Sequence, residues 1–157
     1  MILLDANVIL DVWDPDPVWH GWSSSQLRKL SHIDEFVINP IIYAEISVSF
    51  ANSVDLDEKL AELDAIVVSI PRRAAFLAGK AYAQYRRQGG TKINVLADFF
   101  IGAHAAVLGC PLLTRDTRRY AAYFPSVRLI APCPASFRDR FGSAQTIGLD
   151  CCQLSDE

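Results

Sequence analysis

Five short apolar runs, separated by longer segments of helical character, restrict this sequence more than any other feature. Ile2–Leu4, Phe36–Ile38, Ile66–Val68, Pro111–Leu113 and Val127–Ile130 read as strands. The first four are nearly uninterrupted apolar stretches, the pattern of strands covered on both faces. The helical candidates between them are residues 18–30, 41–51, 55–63, 71–88 and 95–108. Pro40 suits the first turn of the second, and an acidic first turn suits the dipole of the third. Leu77, Ala81 and Tyr85 recur at a spacing of four in the fourth, which stops at Gly89-Gly90. Strands alternating with helices of this length imply an α/β fold with a central, mainly parallel sheet of four to five strands and helices on both faces.

A chain of 157 residues fits one domain. Its 51% hydrophobic and 21% charged residues argue against disorder. No apolar run approaches the ~20 residues of a membrane span. The start, Met1-Ile2-Leu3-Leu4-Asp5, has no basic region ahead of its apolar stretch, so no signal peptide is expected. A formal charge of −3 disfavours a generic polyanion binder, although 11 arginines against 4 lysines leave room for a local phosphate site. Cys110, Cys133, Cys151 and Cys152 make no zinc-ligand spacing, and the vicinal pair is a poor structural disulfide. The expectation is buried thiols in a reducing cytoplasm. Ser136–Phe141 could form a short helix, and 142–157 reads as a polar C-terminal tail appended to a domain over 1–141.

The acids carry the chemical signal. Ligands of open parallel sheets bind beyond the carboxyl ends of the strands. Asp5 directly follows the first strand, and Asp116 lies just past Leu112-Leu113. Glu45 sits one turn into the helix after Asn39-Pro40, and Asp98 lies in the first turn of the helix over 95–108. Helices that follow parallel strands aim their N-termini at that same edge. Asp98 also interrupts an apolar run, where a solvated face is an awkward explanation. Two like charges about 4 Å apart repel by about 4 kcal/mol at an effective dielectric near 20. Convergence of the four would therefore weaken the fold or raise their pKa values. No Lys or Arg adjoins Asp5, Glu45 or Asp98 in sequence, and Arg115 is expected to point away from Asp116. The natural counter-charge is a divalent cation, and all-oxygen ligation suits Mg²⁺ or Mn²⁺.

Leu4-Asp5-Ala6-Asn7-Val8, Ala44-Glu45, Ala97-Asp98-Phe99-Phe100-Ile101-Gly102-Ala103-His104-Ala105 and Leu113-Thr114-Arg115-Asp116 together resemble a PIN-domain ribonuclease, most closely the VapC toxins of bacterial toxin–antitoxin systems. Tyr120, Tyr123-Phe124-Pro125 and Leu129-Ile130-Ala131-Pro132 look like that family's C-terminal stretch, and the likeness runs from Met1 to about Pro132. The resemblance implies a three-layer α/β/α sandwich and a Mg²⁺- or Mn²⁺-dependent endoribonuclease. It implies an RNA substrate, a cognate antitoxin and commonly a homodimer. Carried over by position, Asp5, Glu45, Asp98 and Asp116 are the metal-binding acids, Asn7 orients the first acid or a bound water, and Thr114 supports it. Asp116 is the acid that could act through water. The tail beyond about Phe141 has no counterpart in the resemblance.

Each residue also has a plainer reading. Asp5 and Asp98 could be helix-cap or first-turn acids, Glu45 a surface acid, and Asp116 a turn residue. Asp14-Pro15-Asp16-Pro17 reads as a stiff turn, and Asp11 is expected to face solvent. His20, His32 and His104 share no ligand spacing and read as packed or surface histidines. Trp13, Trp19, Trp22, Tyr43 and Phe50 are core or interface, and the segment 18–50 is where an antitoxin groove is expected. Arg115 and Arg118 are the expected phosphate contacts. The main alternative is a catalytically degenerate module that binds a protein or RNA. A receiver-like or other phosphate enzyme lacks both an Asp-x-Asp pair after the first strand and a phosphate-binding glycine loop.

Overall fold

Successive residues of a strand face opposite sides of its sheet, so an uninterrupted buried run means cover on both. In the computed structural model, which describes residues 1–92 and 95–133, this holds for β1 (Ile2–Leu4), β2 (Phe36–Ile38) and β4 (Leu112–Leu113), all buried throughout. With β3 (Ala65–Val67) and β5 (Leu129–Ile130) they form one five-stranded sheet in the order β3-β2-β1-β4-β5. Every pairing is parallel: Leu3 lies opposite Val37 on one side and Leu112 on the other. Helices flank the sheet, as a parallel topology requires. The expected helix at Ser136–Phe141, the tail 142–157 and the Cys151–Cys152 pair lie outside the described residues.

The strand order explains one departure from expectation. β3 is an edge strand, and its Ile66 is 52% exposed. An apolar run thus does not guarantee two covered faces at a sheet edge, where β3 has β2 as its one neighbouring strand and packs against α4. The strand also starts one residue earlier than predicted, although Val68 extends the ladder by donating its N–H to the Ile38 carbonyl at 2.9 Å.

Local chemistry sets the helix ends. α1 (Ala6–Trp13) was not predicted; it follows β1 after the single residue Asp5. α2 (His20–Leu30) starts two residues later than expected because the Asp16 carboxylate accepts the Val18 and Trp19 N–H groups at 2.8 Å, holding them in a turn. α3 (Pro40–Ser47) is capped by Asn39, whose Oδ1 accepts from the N–H groups of Ile41 and Ile42. α4 (Ser53–Glu62) is capped by Asn52 in the same way, α5 (Arg72–Arg87) follows Pro71, and α6 (Leu96–Leu108) stops at Gly109, whose φ of 64° is left-handed. A short α7 (Arg118–Tyr123), also unpredicted, precedes β5.

Packing then fixes the rotation of α6, the helix that carries Asp98. Phe99 is fully buried and meets the rings of Tyr82, Tyr85, Tyr123 and Phe124 at 5.1–6.2 Å. Burying that one side chain contributes roughly 1.5–3 kcal/mol. With Phe99 anchored against α5 and α7, the neighbouring Asp98 must point about 100° around the helix axis, towards the sheet edge where Asp5 emerges.

Candidate active site

Asp5 occupies the N-cap position of α1, yet its side chain makes no capping hydrogen bond. Its Oδ2 instead accepts three: from Thr114 Oγ1 at 2.7 Å, Asn7 Nδ2 at 2.8 Å and Tyr120 Oη at 3.2 Å. The carboxylate is only 5% exposed. Burial pushes its pKa up, and the three side-chain hydrogen bonds, with the Asn7 backbone N–H, work in the opposite direction. The main partners of the Asp5 carboxylate are thus side chains from α1, α7 and the end of β4, not the helix end it caps.

Asn7 and Thr114 form the frame around it. Asn7 Nδ2 also lies 3.2 Å from Thr114 Oγ1, and Asn7 Oδ1 accepts from the Arg115 N–H at 3.3 Å. Thr114 is fully buried, and its Oγ1 accepts from the Asp116 N–H at 3.1 Å. The start of α1 and the end of β4 are thus stitched together through the partners of one carboxylate.

Glu45 is half-buried on α3, and among the described residues none gives it a hydrogen bond or an ion pair. Its pKa is pushed up to about 7 by burial first, then by the charges of Asp5 and Asp98. Asp98 is half-buried at the start of α6; burial raises its pKa, Arg119 opposes this, and Asp5 and Asp116 add to the rise. Asp116 is the outermost of the four, its side chain 52% exposed, with Oδ1 accepting from the Arg118 N–H at 3.2 Å. The structure thus brings Asp5, Glu45 and Asp98 into mutual electrostatic reach from three separate elements, with Asp116 at the rim.

Tyr120 and Arg119 belong to this site: from sequence Tyr120 reads only as part of the C-terminal stretch, and Arg119, with Arg118, only as one of several arginines that could rim the acidic pocket or lie on a solvated helix face. Tyr120 is buried, and its hydroxyl ionises well above the ordinary range through burial and the nearby charges of Asp5, Asp98 and Glu45, so it stays a donor to Asp5. Arg119 corrects the expectation that no cation offsets the acids. Its Nε lies 2.5 Å from Asp98 Oδ2, and its Nη2 lies 3.6 Å from Asp116 Oδ2. Both arrive on α7, and only an assigned helix there would have aimed them at the acids.

Asp11 does not face solvent. It is 2% exposed, accepts from Ser23 Oγ at 2.8 Å and pairs with Arg115 Nη2 at 3.4 Å. Arg115 also reaches Asp16 at 3.8 Å and lies over the Trp19 ring at 5.8 Å. Its guanidinium is therefore committed to a latch between α1, α2 and the loop after β4. Arg118 is exposed. His104 is buried on α6, its Nδ1 facing Asn39 Nδ2 at 3.3 Å, and it takes no part in the acid cluster.

In donor chemistry the cluster suits a hard divalent cation: oxygen ligands only, with carboxylates that raise one another's pKa. In position it is not yet closed. Among the described residues no three Asp, Glu, His or Cys side chains lie close enough together to hold a metal ion as they stand. The reasons are visible in the contacts: one oxygen of Asp5 is taken by three donors, and Asp98 is turned onto Arg119.

The family model of the PIN domain matches residues 2–125. No curated protein sequence matches the chain. Among solved structures, VapBC2 from Rickettsia felis, bound to a DNA fragment from its promoter, is similar with a TM-score of 0.63 and 18% identity over 83% of this chain and 98% of that one. FitAcB from Neisseria gonorrhoeae gives 0.61 and 24% over 83% and 96%. A toxin–antitoxin complex from Klebsiella pneumoniae gives 0.62 and 19% over 85% and 98%. These are likenesses of fold.

Proposed function

This chain belongs to the PIN-domain family, and from that premise we propose that it is a Mg²⁺- or Mn²⁺-dependent endoribonuclease acting as the toxin of a type II toxin–antitoxin pair. The observation that carries the reading is the convergence of Asp5, Glu45 and Asp98 from the end of β1, α3 and α6: burial raises the pKa of all three, and the charge of Asp5 raises those of Glu45 and Asp98 further. Such an arrangement opposes folding unless a cation repays it, and active sites are where such opposition is retained.

In this reading Asp5, Glu45 and Asp98 hold the ion, and Asp116 contributes from the rim, directly or through water. A bound divalent ion would lower the pKa of a ligated water and stabilise the leaving oxygen of a phosphodiester. Asn7, Thr114 and Tyr120 keep Asp5 in one orientation by donating to a single oxygen, which leaves Oδ1 for a ligand. Glu45, with no hydrogen-bond partner of its own, can turn to a ligand without breaking one. Arg118 is the exposed candidate for the RNA backbone; Arg115 is withdrawn from that role by its contacts with Asp11 and Asp16.

The toxin role is supported by the named likenesses, two of which are VapBC2 and a toxin–antitoxin complex. A groove of about 450 Å³ is the candidate seat of an antitoxin; it shares Ser49 and Phe50 with the expected segment 18–50, and its other walls, including Leu10, Trp13 and Leu63, lie outside that segment. No described helix is long and apolar enough to cross a membrane. Action in the cytoplasm and as a homodimer are further parts of the proposal.

Purified protein should cut RNA with Mg²⁺ or Mn²⁺, stop in EDTA, and lose at least about 100-fold in rate as Asp5→Ala or Asp98→Ala. Unchanged cleavage in either variant refutes the assignment. The second reading, a degenerate binding module, is favoured by the absence of a closed ligand set among the described residues. Calorimetry showing no Mn²⁺ binding would select it.

A further inference from the structure

Arg119 stands where two of the four acids would otherwise face each other uncompensated. It lies in the first turn of α7, which packs against α6. Its Nε is 2.5 Å from Asp98 Oδ2 and its Nη2 is 3.6 Å from Asp116 Oδ2. Among the described residues it is the one cation within ion-pair distance of Asp5, Glu45, Asp98 or Asp116. The next arginine along the chain towards β4, Arg118, meets the cluster only through its backbone N–H, and Arg115 is spent on Asp11 and Asp16.

One guanidinium serves two carboxylates: Nε reaches Asp98 and Nη2 reaches Asp116, so neither acid has the cation to itself. Such sharing neutralises both acids with a single group. The side chain is about one third exposed, so it can rotate into solvent without moving α7.

We propose that Arg119 is a built-in substitute for the metal ion: it neutralises Asp98 and Asp116 while the site is metal-free, and a divalent cation binds by displacing it. The inference rests on the metal-binding reading above and adds to it the group that competes for the acids. Arg119 and the ion then exclude one another at Asp98, and thermodynamic linkage requires that removing one strengthens the other. Loss of the guanidinium has two consequences of opposite sign. The metal-free protein loses its counter-charge and becomes less stable. The ion no longer has a competitor and binds more tightly. A merely structural arginine produces the first effect and not the second.

The test titrates Mn²⁺ alone into the full chain by calorimetry at fixed pH and ionic strength, comparing wild type, Arg119→Gln and Arg119→Lys. Arg119→Gln should bind about two- to fivefold more tightly, the worth of one partly exposed ion pair, whereas Arg119→Lys should stay close to wild type. In EDTA the melting temperature of Arg119→Gln should fall below wild type, and saturating Mn²⁺ should close the gap. Unchanged or weaker Mn²⁺ binding by Arg119→Gln overturns this inference and leaves the metal site intact. No binding by any of the three proteins overturns the metal reading itself. Should Arg119→Gln fail to fold, the wild-type Arg119 Nε–Hε resonance decides the matter. It should move towards the position of a solvent-exposed arginine on saturation with Mg²⁺, and a resonance that stays put overturns the proposal.

Discussion

Glu45→Gln should make the metal-free protein more stable at alkaline pH, although it removes a residue assigned to the active site. The carboxyl titrates near 4.5 in the unfolded chain and at about 7 in the fold, because burial and the charges of Asp5 and Asp98 oppose its ionisation. A group whose folded pKa is raised contributes fully below the unfolded value, and that contribution is lost as pH climbs through the folded one. The wild type should therefore weaken between about pH 4.5 and pH 7 and then level off. The full displacement would cost at most ~3 kcal/mol. Glu45 is only half-buried, so solvent screening reduces this to about 1–2 kcal/mol. Glutamine keeps the shape and never ionises, so its advantage over wild type should grow by that amount between pH 5 and pH 8.5. Urea unfolding in EDTA measures it as a growth of about 0.5–1 M in the midpoint difference, given a typical slope near 2 kcal/mol/M. The double difference reads the ionisation of Glu45 together with its coupling to Asp5 and Asp98, since the three titrate as a set. A midpoint difference that is equal at the two pH values would show that neither burial nor the other acids raise the Glu45 pKa, and the cluster would lose an observation on which the functional reading rests.

Thr114→Val keeps the shape of a fully buried side chain but deletes the donor to Asp5 and the acceptor for Asn7 and the Asp116 N–H. It should cost about 1–3 kcal/mol in denaturant unfolding, and RNA cleavage should fall by 10- to 100-fold, as for other losses of a ligand's support, by rough analogy. Asn39 Oδ1 is committed to the Ile41 and Ile42 N–H groups, so Nδ2 must donate to His104 Nδ1, and the His104 proton sits on Nε2. Asn39→Asp keeps the cap but faces Nδ1 with an acceptor. The imidazole should switch to the Nδ1–H form, and its pKa, now lowered by burial, should rise, both visible in nitrogen chemical shifts. A Cβ at Gly102 would lie 2.3 Å from the Phe124 ring, so Gly102→Ala should cost about 1–3 kcal/mol. Gly79 on α5 has no atom within 4 Å of such a Cβ, and Gly79→Ala should instead stabilise by about 0.5–1 kcal/mol in the same unfolding assay.

What could be read from the sequence and what could not divide along a physical line. β1 and β2 were legible to the residue because buried parallel strands are continuous apolar runs, and Ile2–Leu4 and Phe36–Ile38 are that and nothing more. The acids were legible because topology alone decides which edge they reach: Asp5 follows a parallel strand, and Glu45 and Asp98 lie in helices whose N-termini share that edge. None of this needs side-chain contacts. α1 was missed because Ala6–Trp13 is apolar on nearly every side, which hides a helical period in eight residues, and its one interior charge, Asp11, faces Arg115 from more than 100 positions away. α7 was missed because six residues are too few to show any period, and with it went the contacts of Arg119 and Tyr120 with the acids. The residues that assemble negative charge were thus fixed by backbone topology, whereas those that balance it arrive through the packing of α7 on α6. Repulsion between carboxylates can be deduced from their positions on a sheet edge; its compensation can be deduced only after a short helix has been placed, because a guanidinium at the end of a long, flexible side chain can reach either of two acids or neither. Arg119 reaches both, and for that reason the charge state of the site follows where α7 docks.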